Sequence, residues 1–493
     1  MKRKAIIIAA AFLAGSGLFA QNVDDALRYS QIFYTGTARF MSMGGAFTAL
    51  GGDMSTFSQN PGGIGLFRSS EITFSPQLYH IGTSAGFHGI SKDYLYNFNL
   101  GQIGIVSNLI TQKGESGLIS LNVGYSFNKT NNYNTSVRIE GKSNSSSMAD
   151  YWADVSTGIP YTDLSGAAGI AYDAWIIDTI TGTGADTYGT VFSNYGDNPS
   201  SDYGQNIRRL ITNSGYTGEH TFTIGGNISN KIFFGAALGI SRLKYTGHYE
   251  HLETADYFLD SQFSDFAYTE HFENTGTGVS LKIGAIIKPT EDLRIGLAFH
   301  SPTFYRINEY YYDNVTSNFT DNSTYEFSND PVRYQYALTT PFRALAGVAY
   351  QIKKVALLSF DYEFIDYSTA RFSETGDNYD YTEKNLEIKN TLKPTSNIRV
   401  GGEFRLNKMY FRGGYGYYGK AFNTREDNAD MDYNSFSLGA GFREQNINID
   451  FGFTNLRNMQ KYILYNTSSE SAIANLTNNR NIFTVTVGYK FGY

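Results

Sequence analysis

Two imidazoles and a carboxylate stand together at His248, Glu250 and His251, in the run His248-Tyr249-Glu250-His251. That combination holds a divalent cation when a further ligand is well spaced, because zinc sites gather three or four His, Cys, Asp or Glu donors around one point. No such ligand stands nearby, and the chain contains no cysteine. The other histidines are His80, His88, His220, His271 and His300. None of them combines with a serine and a carboxylate at a spacing that singles out a nucleophile and its base. The run therefore reads as a surface cluster on a loop, and the chain as one with no metal, no cofactor and no catalysis. Absence of cysteine also excludes disulfides and thiol chemistry. A net charge of -7 without a basic block argues against nucleic acid as a partner.

The elements that must position these residues are strands. Gly 51, Tyr 39 and Phe 36 against Pro 9 and Trp 2 describe strands and loops, with little helix. Residues 1–20 carry the marks of a signal peptide, with Lys2, Arg3 and Lys4 before a short apolar run and small residues ahead of Gln21. The last dozen residues alternate: Phe483, Val485, Val487, Tyr489, Phe491 and Tyr493 share one face, and Thr484, Thr486, Gly488, Lys490 and Gly492 share the other. An apolar face of this kind suits lipid while the polar face lines a lumen. A mean hydropathy of -0.31 does not oppose this, because barrel strands show lipid only every second residue.

Period-two segments predict strands near 69–79, 94–106, 117–130, 219–229, 232–246, 266–288, 292–312, 330–350, 354–372, 395–407, 408–420, 434–444, 446–457 and 482–493. Charges fall on the face away from the apolar one, as with Arg399, Glu403 and Arg405 opposite Ile398, Val400 and Phe404. Connections alternate between short turns and long polar stretches at 131–218, 247–265, 311–329, 373–394, 421–433 and 458–481. Short turns on one rim and long loops on the other are the asymmetry of outer-membrane barrels. The expectation is an all-β transmembrane antiparallel barrel of about 14 strands over residues 69–493, with a long external loop at about 131–218.

Fourteen strands enclose more space than wall side chains fill, so the lumen is either an aqueous pore or plugged. Residues 21–68 do not read as a strand pair. Phe40, Met43, Phe47 and Leu50 recur at three- and four-residue steps between glycines, ahead of Asn60-Pro61-Gly62-Gly63. They are expected to form an N-terminal hatch that plugs the lumen.

Gly44-Gly45-Ala46-Phe47-Thr48-Ala49-Leu50, followed by Asn60-Pro61-Gly62-Gly63, resembles the hatch signature of the FadL/TodX family of outer-membrane transporters. Weaker resemblances lie at Gly296–Pro302, Thr340-Pro341-Phe342-Arg343 and Ser359–Ser368. Gly62 stands where the family more often has alanine, Gly51-Gly52-Asp53-Met54 replaces an acidic, alanine-rich stretch, and the 131–218 insertion is longer than expected. The resemblance implies passage of long-chain fatty acids or similar lipophiles, through capture, lumen binding and lateral exit into the bilayer. Its partners would be a hydrophobic small molecule and outer-membrane lipid, around a monomer. Phe47, Leu50, Asn60, Pro61, Gly62 and Gly63 are then the expected binding and gating residues. Trp175, Ile176 and Ile177 are the expected capture loop, in the most apolar external stretch, and an inward kink is expected near Gly124–Asn128. Two alternatives stay open: an accessory or shuttle barrel of a type IX protein-secretion system, and a structural or adhesive surface barrel.

Overall fold

The computed structural model describes residues 22–112, 116–180, 186–192, 204–256, 262–376 and 379–491. The expected signal peptide and the terminal Tyr493 lie outside the described residues. Two helices, α1 (Val23–Ser30) and α2 (Ala38–Ser42), and two 3-10 turns (Met54–Ser58 and Pro61–Leu66) precede the first strand. The sheet then begins with β1 (Ser70–Gly86), β2 (Ile90–Thr111), β3 (Leu118–Asn132) and β4 (Thr135–Ser143). An external insertion follows, with α3 (Met148–Ser156), α4 (Gly166–Asp173) and the hairpin of β5 (Ile177–Thr179) and β6 (Tyr188–Thr190). Next come β7 (Gln205–Ile228), β8 (Ile232–Ala255), β9 (Phe263–Ile287), β10 (Leu293–His300), β11 (Phe304–Phe319) and β12 (Thr324–Ser328). They are followed by β13 (Val332–Thr339), β14 (Arg343–Ile352), β15 (Ala356–Asp366), β16 (Arg371–Glu374) and α5 (Thr382–Thr391). The chain ends with β17 (Pro394–Leu406), β18 (Met409–Tyr418), β19 (Tyr433–Glu444), β20 (Ile447–Asn466) and β21 (Ser471–Phe491).

All ladders are antiparallel and the sheet closes on itself. Ser70 pairs with Phe491 and Gly86 with Asn475, so β21 seals against β1. Four wall strands are each built from two segments, β3–β4, β10–β11, β13–β14 and β15–β16, and with these joined, and β12 set apart as a hairpin partner of the outer end of β11, the barrel has 14 strands. The strands expected as unbroken over 292–312, 330–350 and 354–372 are interrupted at 301–303, 340–342 and 367–370. Pro302 and Pro341 sit at two of these breaks, where a residue without an N–H leaves the ladder. Ser301 and Thr340 mend the wall, with Leu281 N donating to Ser301 Oγ at 2.9 Å and Thr303 N to Thr340 Oγ1 at 2.9 Å.

Outward positions define the hydrocarbon band. On β8 it runs Ile232, Phe234, Ala236, Leu238, Ile240 and then meets Arg242; on β9 it runs Ile287, Ala285, Ile283, Leu281, Val279 and then meets Thr277. That is the length a tilted strand needs to cross a bilayer. The strands continue well beyond it, so several stretches expected as loops are sheet. Residues 247–255 and 263–265 belong to β8 and β9, residues 458–466 and 471–481 to β20 and β21, and β7 begins at Gln205 inside the expected 131–218 loop. Above the membrane the outward residues turn polar, which removes the apolar alternation while the backbone pairing persists. The cluster expected on a loop at His248–His251 is on β8 for the same reason. His248 faces outward opposite His271, and His251 is buried, its Nε2 2.8 Å from Glu253.

The insertion roofs the outer mouth. Ser147 and Asp150 form a capping box on α3, and Glu253 of β8 accepts from the Ser147 hydroxyl and, at 2.8 Å, from Met148 N. Trp152 of α3 packs on Phe266 and Tyr268 of β9, and the same core reaches Tyr465 and Ala472 on β20 and β21. A second cover, α5 with Tyr381 and Phe372, packs in one core with Leu27 of α1.

Candidate functional site

The N-terminal segment packs inside the barrel, with most residues from Val23 to Phe67 buried. α1 starts at Asn22, whose side chain accepts from Asp25 N at 2.9 Å, and α2 starts at Thr37, which accepts from Phe40 N. Two further caps, Asp53 and Asn60, begin the 3-10 turns, with Pro61 in the first position, where its missing N–H costs nothing. Charge and backbone then tie the segment to the wall on all sides. Arg39 reaches Glu403 at 3.0 Å, and Glu403 leads through Arg412 to Asp450 at 2.6 Å per step. Asp361 accepts from Thr48 N and Oγ1 at 2.8 and 2.7 Å. Arg343 and Arg399 share Glu363, and Arg343 also donates to the Ser30 carbonyl.

Close approach is made possible by glycines on both the plug and the wall. A Cβ on Gly62 would lie 2.9 Å from Ala285 Cα; one on Gly414 would meet Gly44 Cα at 2.9 Å, one on Gly401 Met43 Cβ at 2.9 Å, and one on Gly124 the Phe57 ring at 2.6 Å. Gly235, Gly296 and Gly452 face hatch backbone in the same way, while Gly284 and Gly439 make room for the Asn60 and Ser42 side chains. Backbone therefore packs on backbone at several points around the circumference.

The expected binding and gating residues all lie within this plug. Phe47 and Leu50 are buried in its core beside Phe40, Met43 and Tyr79. Asn60 donates to the Thr48 carbonyl at 2.6 Å and accepts from Gly62 N at 3.0 Å. Left-handed backbone is found at Gly44, Gly45, Gly51 and Gly52, and not at Gly62 or Gly63, whose small size serves proximity to Ala285 and Thr56. Of the expected capture residues, Ile176 and Ile177 are buried in the roof, while Trp175 is 55% exposed and meets Tyr325 edge-on.

Two cavities flank the plug and share no lining residue. The outer one, about 370 Å³, lies under the roof between α1, Asn131–Tyr133, Tyr245, Tyr249, Tyr433 and Tyr462, with Arg28, Lys461 and Arg480 among its walls. The inner one, about 300 Å³, opens beside Arg39, Gly51, Arg294 and Glu403. Burial raises the Asp25 carboxyl to about 6 despite its ion pair with Arg28, whose guanidinium lies 4.4 Å from the Tyr245 ring.

Beside the outer cavity the wall is incomplete. The β2–β3 ladder ends at Gln102↔Asn128, and among the described residues no pairing joins β3 to β2 from Ile90 to Gly101. A register shift follows at Lys129/Asn131, and the end of β3 bends onto the plug, where Phe33 N donates to the Thr130 carbonyl at 2.8 Å. The expected kink near Gly124–Asn128 thus begins at its last residue. Higher up, Ser136 and Arg138 of β4 rejoin β1 and β2 through Thr83, Asp93 and Ser91. Sequence reasoning missed the partners of this opening, Tyr94, Tyr96 and Phe98, which face outward with Phe98 73% exposed. Their alternation with Leu95, Asn97 and Asn99 was the available signal.

Residues 224–491 match the model of a family described as outer membrane protein transport protein (OMPP1/FadL/TodX). A FadL homologue of Pseudomonas aeruginosa has the same fold, with a TM-score of 0.57 at 12% identity over 94% of this chain and 100% of that one. The P. putida toluene transporter TodX aligns with a TM-score of 0.51 at 10% identity over 93% and 99%. No curated protein matches the sequence.

Proposed function

The chain belongs to the OMPP1/FadL/TodX family of outer-membrane transport proteins, and from that premise we propose that it passes small hydrophobic or amphipathic molecules sideways from its lumen into the bilayer. The observation that carries this reading is the end of the β2–β3 ladder at Gln102↔Asn128, beside a cavity closed below by the plug. An aqueous route through the lumen gains an apolar solute nothing, whereas a route into lipid keeps each buried CH₂ out of water at about 0.8 kcal/mol. The opening sits at the right depth. The apolar file of β1 ends at Leu78, which pairs with Phe98, and His80 above it lies 4.8 Å from Tyr96. Aromatics at that level belong to the membrane interface.

In this proposal Trp175 takes the substrate at the roof, with Ile176 and Ile177 holding that loop in place. The tyrosine-lined cavity receives it, and Arg28 and Arg480 favour a carboxylate head group. A volume of about 370 Å³ is at the lower end for small-molecule sites, which suits a short ligand or one end of a fatty acid. Phe47, Leu50 and the Asn60–Gly63 turn act as a fixed floor that turns the substrate toward the wall. The protein works without catalysis or cofactor, as a monomer in the outer membrane after loss of residues 1–20.

The test is to fill the opening from both sides with Asn97→Trp and Asn131→Trp, and to measure uptake of a radiolabelled fatty acid and of a monoaromatic hydrocarbon. Uptake of at least one is expected to fall about tenfold while heat-modifiable gel mobility, the mark of an intact barrel, is kept. Unchanged uptake of both would sink the lateral route.

A further inference from the structure

We propose that the outward face of β8, β9 and β10–β11 binds a phosphorylated lipid of the outer leaflet, held by Arg242 and Arg306. The two arginines are neighbours through one residue. Arg242 pairs with Thr277 on β9, and Thr277 pairs in turn with Arg306 on β11. Adjacent strands lie about 4.8 Å apart, so the two Cα atoms are separated by roughly 10 Å, and both side chains leave the same face of the sheet. Arg242 Nη1 already donates to Thr277 Oγ1 at 3.1 Å, which brings its fork over the centre of the row. Both guanidiniums are exposed. Two forks converging on one point suit the oxygens of a phosphate, which guanidinium recognises bidentately.

The position selects a lipid. This row is the first above the hydrocarbon band on all three strands, next to Ile240, Val279 and Phe304. Arg333 adds positive charge two outward rows higher, and the acidic neighbour Glu273 on that row is engaged by Lys244 at 3.4 Å. The first row on the opposite wall is uncharged, with Arg457 standing one outward row higher on β20. On β20 and β21 the first polar positions above the band are Asn455 and Asn481, joined by a 2.8 Å hydrogen bond.

An apolar groove of about 850 Å³ lies beneath the arginines at mid-membrane depth, crossing β8, β9 and β10 and extending onto β7, β14 and β15. Phe234, Ile283, Leu297 and Phe299 form its sides, while Ala236 and Ala346 keep its floor low. Three outward files run from groove to row: Ala236, Leu238, Ile240 to Arg242; Ile283, Leu281, Val279 to Thr277; and Phe299, Phe304 to Arg306. A lipid with its phosphate at the row therefore lays an acyl chain along these files into the groove. Head group and tail are matched by one continuous surface, where a lone basic patch would match only the first.

The full-length protein in detergent micelles, loaded with lipid A carrying its phosphates or with the same lipid A dephosphorylated, tests this by native mass spectrometry. The phosphorylated lipid is expected to be retained at least tenfold better. Arg242→Ala with Arg306→Ala should abolish that preference, and Ala236→Phe, which fills the groove, should lower retention of both lipids. All three positions face outward, so heat-modifiable mobility should be unchanged in each variant. Equal retention of the two lipids, or a preference that survives the double arginine variant, would overturn the proposal. A stable dimer of the lipid-free protein that the arginine variants disrupt would assign the face to a second copy and overturn it as well.

Discussion

Replacing Ser58 and Thr221 together by cysteine joins the plug to β7 beside the Asn60–Gly63 turn. The two hydroxyl oxygens are 3.1 Å apart, which places two sulfurs within reach of a bond of about 2.05 Å after small rotations. The chain has no other cysteine, so the crosslink is unambiguous. If the plug lifts to let substrate pass, segment 58–67 must give up its wall bonds. Besides the Ser58–Thr221 contact these are Asn128 to Ser58 Oγ, Lys282 to the Ser58 carbonyl, His300 to the Gln59 carbonyl, Gln59 to the Asp361 carboxylate, Asn60 to the Ala285 carbonyl, and Asn122 to the carbonyls of Ile64 and Phe67. At about 1 kcal/mol net for each, and somewhat more for the two bonds to charged groups, the sum is roughly 9 kcal/mol, or more than about a millionfold against the lifted state. A plug held this strongly is a floor. Uptake by the oxidised double variant, measured with and without reductant, is therefore expected to match the unmodified protein within about twofold. If oxidation abolishes uptake and reductant restores it, the plug moves as a gate and the reasoning above is wrong.

Other outcomes follow from the same geometry. Arg480→Gln, which removes a guanidinium from the cavity wall, should raise the half-saturating concentration of a carboxylated lipophile about tenfold and leave a neutral aromatic unaffected; equal effects on both would remove the head-group role. With Trp152→Phe, Trp175 becomes the sole tryptophan, and a brominated fatty acid should quench it saturably; no quenching would place capture elsewhere. Asp25 binds its proton more tightly folded than unfolded, at about 6 against 3.8. Its stabilising contribution to α1 is thus complete below about pH 4 and lost as pH rises through about 6. Protection of residues 22–31 against hydrogen exchange, corrected for the intrinsic base-catalysed rise in amide exchange, should fall between about pH 4 and 6, and Asp25→Asn should remove that fall.

The barrel was legible because alternation is strongest where one face meets lipid. Every wall strand crossing the membrane was anticipated, and the last strand closes on the first. Strand lengths were not, since outside the bilayer residues such as Asn475, Thr477 and Asn479 pair with β1 without any apolar face to announce them. Hatch residues were visible as an apolar, glycine-bent stretch, but their mode of use was hidden. A glycine chosen for left-handed backbone and one chosen for closeness look the same in sequence; only the neighbours of Gly62 and Gly284 separate the two. The opening was harder still. It arises from a ladder that stops, and the residues at Gln102 and Asn128 carry no mark of the pairing that fails beyond them.

Backbone packed on backbone also dictates an order of events in assembly. A plug that leaves no clearance for a Cβ at Gly414 or Gly62 cannot be threaded into a finished cylinder. The seam itself records this: Thr486 of the last strand accepts from Ala38 N at 2.7 Å and lies 2.8 Å from Ser75 of the first. The N-terminal segment, first off the ribosome, must wait in place as a mandrel while the wall is wound around it, and the last strand zips shut over both. A chain lacking residues 22–67 should then stall as an open sheet on the insertion machinery, and supplying the missing peptide later should not rescue it.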